Sequence, residues 1–443
     1  MQRLEVQVQE QLPNAPARIY PYVKRLLDIL LSSFLLAVLS PLFVVISLVL
    51  WLKQGGWIFY RTPRLGKDCR IFIRYTFATR LRYFHKLPLL FNILIGDLSF
   101  IGPRSVGPGE LCHLCLQEPL VRRRCRIRPG LICDWWIRRH ASLGYVQETE
   151  LDALYVENPT FSKDVSIILR AMPSIIAALI WGDNPADYTA EFHILGIRID
   201  NATMPSAIKR IVEMLDSEQP NQACFVNPHY INEACRVPEY KQVLDQANLV
   251  LADGFGTKLA GKILHRPIRQ NLCGTDLFPR LCAALNGSGK RIFLLGAAPG
   301  AAEGVAEWVI ERYPDVLISG THHGFFTPEE EGGVVRQIAA SGADLLVVAM
   351  GVPRQELWVH HHAGELGVKA AIGFGGLFDY FAGRVPRAPQ WVREIGMEWV
   401  YRLIQEPRRM WRRYLIGNAL FLARVMHERL FPKAWAPKED TEF

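Results

Sequence analysis

Hydrophobic and polar positions change their pattern along the chain, and each pattern predicts a different kind of element. Leu26–Leu52 is a nearly unbroken apolar run, long enough to span a bilayer. Lys24 and Arg25 precede it, and Lys53, Arg61, Arg64 and Lys67 follow it. Ser40 and Pro41 interrupt it midway, and proline removes a backbone hydrogen bond and bends a helix. Basic residues on both flanks favour keeping both ends on the cytoplasmic side. Two half-helices, broken at Ser40-Pro41 and entering and leaving by one face, are therefore expected; a proline-kinked transmembrane helix is the alternative. A second apolar stretch, Val165–Trp181, carries Arg170 and Pro173, is short for a span, and reads as an interfacial or packing helix.

From Phe192 onward the pattern becomes short apolar runs that end abruptly. Cys224–Val226 ends at Asn227, Leu249–Leu251 at Asp253-Gly254, Ile292–Leu295 at Gly296, Leu345–Ala349 at Gly351, and Ala370–Ile372 at Gly373. Helical patterns lie between them. This predicts an α/β fold, a Rossmann-like, doubly wound, mostly parallel sheet, with the polar or glycine-bearing exits gathered on one edge. After Leu345–Ala349 the loop presents Arg354, Gln355 and Glu356 behind Gly351, the shape of a ligand-facing turn. The turn opened by Gly296 is only a weak phosphate-loop signal. Leu415–Leu430 mixes aliphatic residues with Arg424, His427 and Arg429, as a basic amphipathic helix lying on a membrane would.

These patterns divide the chain into a loose polar tail (1–21), a membrane unit (22–182), a turn-rich linker (183–191), an α/β unit (192–431) and a polar, disordered tail (432–443). Half of the 443 residues are hydrophobic and the net charge is +8. An apolar, basic chain points to anionic membrane lipids or phosphate-bearing substrates. No zinc-finger, helix-turn-helix or RNA-binding signature is present, so nucleic acid is not expected. Nine scattered cysteines argue for reduced thiols rather than a disulfide framework. Cys112-x-x-Cys115 with Cys125 and Cys133 could in principle bind zinc, but the last two sit in unrelated contexts. His360-His361-His362 fan out over different helix faces. No metal is expected from either group.

Residues 22–180 resemble the bacterial sugar transferase family, the monotopic polyprenyl-phosphate hexose-1-phosphate transferases. The pieces that carry the resemblance are Lys24-Arg25-x-x-Asp28, Ser40-Pro41, Arg64-x-Gly66, Leu87-Pro88 with Asn92, Gly96-Asp97-Leu98-Ser99, Gly102-Pro103-Arg104 and Arg128-Pro129-Gly130. The resemblance implies a helix broken at Ser-Pro and transfer of a sugar phosphate from a nucleotide sugar to a polyprenyl phosphate. It also implies an Asp-Glu pair before Leu87-Pro88, where this chain has His85 and Lys86. Neither offers the hard oxygen ligand that a magnesium ion takes. The segment before it, Arg74–Phe84, is also shortened. Loss of this transferase activity is expected, with magnesium required only if the unit is active; a histidine nucleophile at His85 is the alternative.

Residues 193–416 resemble the WecG/TagA/CpsF family, glycosyltransferase family 26. The matching pieces include Asn227-Pro228-His229, Ala252-Asp253-Gly254, Gly274-Thr275-Asp276, Leu294-Leu295-Gly296 and Gly351-x-Pro353-Arg354-Gln355-Glu356. They continue through Arg387-Ala388-Pro389, Glu398-Trp399-x-x-Arg402 and Glu406-Pro407-Arg408 to Arg413-Tyr414. The resemblance implies inverting transfer of a hexose from a UDP-sugar to a polyprenyl-diphosphate-linked sugar, at the cytoplasmic face of the bacterial inner membrane. Inversion needs one base for the acceptor hydroxyl. Asp253, at a strand exit before a glycine, is the candidate, with a helix cap as the structural alternative. No Asp-x-Asp occurs, so arginines are expected to hold the diphosphate. The tail supplies Arg402, Arg408, Arg409, Arg412 and Arg413, with anionic lipid headgroups as their alternative use, and Arg387 is a further substrate-binding candidate. Gly351, Arg354, Gln355 and Glu356 are expected at the uridine or ribose, and Asn227 and Thr275 near the sugar. A bifunctional enzyme with a priming N-terminal unit and a non-catalytic membrane scaffold are the rival readings. Folds of this class often assemble, so a homo-oligomer stays open.

Overall fold

A computed structural model describes residues 19–54, 56–79, 84–109, 124–140, 148–181 and 188–435. The chain forms two compact units, divided between residues 182 and 183. Cys112 and Cys115 lie outside the described residues, as do 1–18 and 436–443.

In the first unit, α1 (Tyr20–Gln54) is one uninterrupted helix that contains Pro41. Helical hydrogen bonding continues on both sides of Ser40 and Pro41, so a turn of the chain there is a proline bend within one helix. The physical reason is local. Pro41 has no N–H for the Ala37 carbonyl four residues back, and the Ser40 hydroxyl donates to that same carbonyl at 2.8 Å. The serine thus supplies the hydrogen bond that the proline removes. The helix is long and apolar enough to cross a membrane.

A hairpin follows, β1 (Phe59–Leu65) antiparallel to β2 (Ile71–Phe77). Then come α2 (Leu89–Ile95), β3 (Ser99–Ile101) parallel to β4 (Gly130–Ile132), α3 (Asp134–His140), α4 (Glu148–Glu157) and α5 (Phe161–Trp181). Leu35, Leu36 and Leu39 of α1 pack on Leu89, Leu90 and Ile93 of α2. Phe43, Ile46 and Leu50 pack on Phe77. Buried Asn92 accepts from the Tyr75 N–H and donates to the Ile73 carbonyl, which fixes α2 against β2. A Cβ on Gly130 would lie 2.0 Å from the Gly102 nitrogen, so the Gly102–Gly130 approach admits no side chain. Arg170, which breaks the apolar pattern of α5, is paired with Asp134 at 2.6 Å.

In the second unit, β5 (Glu191–Ile194) and β6 (Ile197–Asp200) form an antiparallel hairpin. The elements α6 (Met204–Met214), β7 (Asn221–Val226), α7 (Pro228–Arg236), α8 (Pro238–Gln246), β8 (Leu249–Ala252), α9 (Phe255–Ile263), α10 (Gly274–Leu285) and β9 (Arg291–Gly296) follow. Then come α11 (Ala301–Arg312), β10 (Leu317–His322), α12 (Pro328–Ala340), β11 (Leu345–Ala349), α13 (Arg354–His362) and β12 (Ala370–Gly373). The order across the sheet is β10-β9-β11-β12-β7-β8-β6-β5, parallel at every neighbour except β5–β6. Every residue of β11 is buried, as expected of a strand covered on both faces.

Three strands escape the pattern reading. β5 and β6 are four residues each, and β10, Leu-Ile-Ser-Gly-Thr-His, has too little apolar contrast to stand out. The chain closes with α14 (Leu377–Phe381), α15 (Gln390–Glu394), α16 (Glu398–Gln405), α17 (Pro407–Trp411), a π-helical turn (Arg412–Ile416) and α18 (Gly417–Leu430). One face of α18 does not lie on a membrane. Phe421 and Val425 are buried in the core beside β5, β6 and α7. Buried Glu428 accepts the Leu195 N–H at 2.7 Å and pairs with Arg266 at 2.7 Å. The tail expected to be disordered from 432 begins later, since Pro432–Ala434 form a helical turn and the Trp435 indole donates to His427 at 3.0 Å.

Candidate active site

The exits of β7 and β8 lie side by side and set the centre of the site. Asn227 caps α7, its side-chain oxygen accepting the His229 and Tyr230 N–H groups at 3.1 Å each. That leaves the carboxamide NH2 to donate elsewhere. Asp253 follows β8, its backbone N–H bonded to the Val226 carbonyl at 2.8 Å. The cap position of α9 is Gly254, at φ 87°, with no side-chain cap. The Asp253 carboxylate is therefore not spent on the helix.

The side chains of Cys273 and Asn227 are within hydrogen-bonding reach of that carboxylate. Although Asp253 keeps some exposed surface, it is closely surrounded, and its pKa is pushed up to about 6. Burial is the largest cause and the Glu398 charge the next; Cys273, Asn227 and Arg413 pull the other way.

Beside this pair, Thr275 is buried at the start of α10, with its hydroxyl 3.1 Å from the Cys273 sulfur. Arg387 makes a two-pronged contact with Asp276, at 2.8 and 2.6 Å, and its Nε lies 3.8 Å from Glu398. Arg393 reaches Asp276 at 3.5 Å. Arg402 stacks over Tyr380 at 5.5 Å, and Arg413 over Tyr230 at 5.5 Å and Tyr414 at 5.6 Å. Nε of Arg387, Arg393, Arg402 and Arg413 is buried in each case without a hydrogen-bond acceptor among the described residues. Buried guanidinium donors left over in this way fit the oxygens of an anionic ligand. Arg408 and Arg412 are exposed, Arg412 stacking only on neighbouring Trp411 at 5.3 Å.

A second group sits at the exits of β9 and β11. Gly296 has φ 142°, and a Cβ there would lie 2.5 Å from the Ala349 carbonyl oxygen, so the two exits touch backbone to backbone. Gly351, at φ 82°, faces open space. Arg354 is exposed at the start of α13, 5.1 Å over the Phe326 ring.

Gln355 and Glu356 are placed otherwise than expected for groups touching a ribose. They are 0% and 1% exposed. The Gln355 oxygen accepts the Gly351 and Gly375 N–H groups at 3.1 Å each, and its NH2 donates to Glu356 at 2.7 Å. They brace the two glycine loops from beneath. Burial pushes Glu356 up to about 8, the bond from Gln355 opposing it.

In the first unit, the His85 carbonyl accepts the Phe77 N–H at 2.9 Å, so His85-Lys86 follows directly on the end of β2. Lys86 is exposed, and Arg74 is the charge that bears on it most. His85 and Lys86 offer no carboxylate oxygen, so these two residues do not fit a magnesium ion. In the second unit, Asp253 has the Cys273 thiol, the Asn227 amide, the Glu398 carboxylate and the Arg413 guanidinium for neighbours. No group of three His, Cys, Asp or Glu able to hold a metal occurs among the described residues. His361 is instead paired with Glu239 at 2.9 Å, and His362 with Glu331 at 3.2 Å.

Residues 192–434, more than half of the chain, match the glycosyl transferase WecG/TagA/CpsF family. The chain belongs to the WecG/TagA/CpsF family. It is a glycosyltransferase. It is 33% identical over 217 residues to the N-acetylglucosaminyldiphosphoundecaprenol N-acetyl-beta-D-mannosaminyltransferase of Bacillus subtilis (strain 168), covering 49% of this chain and 83% of that one. The enzyme of the same name from Bacillus spizizenii (strain ATCC 23059 / NRRL B-14472 / W23) is 35% identical over 216 residues, 48% of this chain and 83% of that one. The one from Staphylococcus aureus (strain MRSA252) is 31% identical over 226 residues, 51% of this chain and 88% of that one. Residues 19–83 and 78–178 match the bacterial sugar transferase family, and with α1 this indicates association with a membrane.

Within the WecG/TagA/CpsF unit, sequence reasoning overlooked Glu398, Cys273, Arg393, Tyr230, Tyr380 and Tyr414 as neighbours of the site. Glu398 had a usable signal. It lies four residues before Arg402, and in α16 the two side chains share one face.

Proposed function

We propose that the α/β unit transfers a hexose from a UDP-sugar to a hydroxyl of a polyprenyl-diphosphate-linked sugar, with inversion and without a metal. The observation that carries this reading is Asp253. It is a carboxylate at a strand exit, free of helix capping, with its pKa near working pH and leftover guanidinium donors around it. Ionised Asp253 takes the proton from the acceptor hydroxyl as that oxygen bonds to the anomeric carbon. The bond from that carbon to the UDP oxygen breaks on the opposite face. Arg402 and Arg413 take up the charge that develops on the departing diphosphate, while Arg387 orders Asp276 and Glu398 behind them. Gly296, Gly351 and Arg354 border the nucleotide, and Gln355 and Glu356 hold its loops in place.

The names of the relatives favour an N-acetylhexosamine as donor sugar and undecaprenyl-diphosphate N-acetylglucosamine as acceptor. The setting is the cytoplasmic face of a bacterial inner membrane, during surface or exopolysaccharide assembly. α1 and exposed Arg408 and Arg412 hold the chain to that membrane. The first unit, with His85 and Lys86 in place of carboxylates, does not prime the lipid.

The test uses purified protein in nanodiscs with EDTA, supplied with UDP-sugars one at a time. The acceptor is either bare polyprenyl phosphate or a polyprenyl-diphosphate sugar. UDP release that needs the diphosphate acceptor and is lost in Asp253→Asn supports the reading. UMP release with bare polyprenyl phosphate would show that the first unit is active.

A further inference from the structure

One thiol stands beside the base without a task in the transfer step. Cys224 and Cys282 in the same unit are fully buried, as core thiols are, whereas Cys273 is partly exposed at the strand exits. Backbone contacts carry it to Asp253. The Leu272 N–H donates to the Ala252 carbonyl at 2.9 Å, and the Gly254 N–H donates to the Asn271 side-chain oxygen at 2.6 Å. The two residues before Cys273 are thus pinned to the two residues that flank Asp253. Cys273 is also the N-cap residue of α10. Its carbonyl accepts the Asp276 and Leu277 N–H groups at 3.0 Å each, and its side chain makes no capping bond. The segment is fixed on both sides while the thiol is left over. Its sulfur lies 3.1 Å from the hydroxyl of buried Thr275.

The thiol and the Asn227 amide are both within hydrogen-bonding reach of the Asp253 carboxylate. Asn227 has N–H groups to offer there, because its oxygen is taken by the His229 and Tyr230 N–H groups. Burial, then the Asp253 and Glu398 charges, push the Cys273 thiol well up, so the sulfur keeps its proton at neutral pH.

We propose that Cys273 is a positioning residue for the base: its S–H donates to the Asp253 carboxylate while its sulfur accepts from the Thr275 hydroxyl. The role rests on the reading of Asp253 as the base. With the Asn227 amide, the thiol limits how the carboxylate can turn and keeps a lone pair toward the acceptor hydroxyl. A thiol is a weak donor. It therefore orients the carboxylate and takes little from its basicity, whereas a stronger donor would draw its proton affinity down.

The test uses the full chain in nanodiscs and reads kcat and KM for UDP release across pH. Cys273→Ala removes the donor, so the acid limb of kcat/KM should rise by about half to one pH unit. At the same time kcat should fall about tenfold while the donor KM stays within about twofold. Cys273→Ser installs a stronger donor, so the limb should return to its original pH or fall below it. Packing alone would not make the two substitutions part in this way. A second measurement needs no turnover. Iodoacetamide labelling of Cys273 at mildly alkaline pH, followed by mass spectrometry, should run at least about threefold faster in Asp253→Asn, where the charge opposing the thiolate is gone. An acid limb that stays in place in Cys273→Ala, or rises in both variants, would overturn the proposal. So would equal labelling of Asp253→Asn and the unsubstituted chain. No UDP release from the unsubstituted chain would instead refute the UDP-sugar reading, and the labelling comparison would then decide whether the thiol holds Asp253.

Discussion

Asp253→Asn should make the protein less active and more stable at the same time. The carboxylate is held at about 6 where an ordinary aspartate sits at 3.8. A difference of about two units is worth roughly 3 kcal/mol between the two protonation states, less whatever solvent screens at a side chain that is partly exposed. The sign follows from which state binds the proton more tightly. Between pH 4 and 6 the folded protein holds a proton that the unfolded chain has lost. This contribution to stability is therefore complete below about pH 4 and gone above about pH 6. At pH 7.5 the native protein carries an ionised, poorly hydrated carboxylate.

Asparagine keeps the shape and an oxygen for Cys273 and Asn227, and removes that charge. For a unit of this size each 1 kcal/mol moves the thermal midpoint by roughly 2–4 °C, so Asp253→Asn should melt several degrees higher at pH 7.5. The gain should vanish at pH 4. UDP release should fall by about 10²–10⁴, the usual contribution of a positioned general base. Scanning fluorimetry at both pH values and a UDP-release assay measure the two halves. A variant that melts lower at pH 7.5 would mean that the carboxylate is a structural partner. One that keeps its activity would mean that the base lies elsewhere.

Other outcomes follow from the same contacts. Glu398→Gln removes a negative neighbour of Asp253, so the acid limb of kcat/KM should move to lower pH; Arg413→Gln removes a positive one and should move the limb up while raising the KM for donor. Both are read from pH–rate profiles. Gly296→Ala would force a carbon to 2.5 Å from the Ala349 carbonyl oxygen at φ 142°, and should cost at least about 2 kcal/mol in chemical denaturation. Glu356, raised to about 8 by burial, lends stability below about pH 4.5 that is lost as pH climbs through 8. Glu356→Gln should therefore flatten the fall in thermal midpoint between pH 5 and 9.

Much of the α/β unit was legible because buried parallel strands leave an unmistakable trace. Leu345–Ala349 and Ile292–Leu295 are apolar on both faces and stop at glycines, and both are central strands. β10 was not legible, since an edge strand with Ser, Gly, Thr and His carries no such contrast. The position of Asp253 could be read from its place before Gly254, and Glu398 could be placed on one helix face with Arg402, but not beside Asp253. Glu398 comes to Asp253 through the folding back of α16, and no local pattern encodes that return. Gln355 and Glu356 were misread for the opposite reason. Polar residues after a strand look ligand-facing in sequence, whereas here one turn of α13 rotates both inward, where Gln355 satisfies the Gly351 and Gly375 backbone and bonds Glu356. Ser40-Pro41 could be read only in part. A missing backbone donor was visible, and its replacement by the adjacent hydroxyl was not.

The bond between Leu195 and Glu428 joins positions 233 residues apart. A newly made chain emerges in order, so the opening hairpin of the α/β unit waits unfastened until α18 arrives. Closing so long a loop is also slow. Arg402 and Arg413 ride on the segment just ahead of Glu428 and reach the strand exits in the same closing movement. The two arginines proposed to hold the diphosphate thus emerge after all the strands whose exits they face.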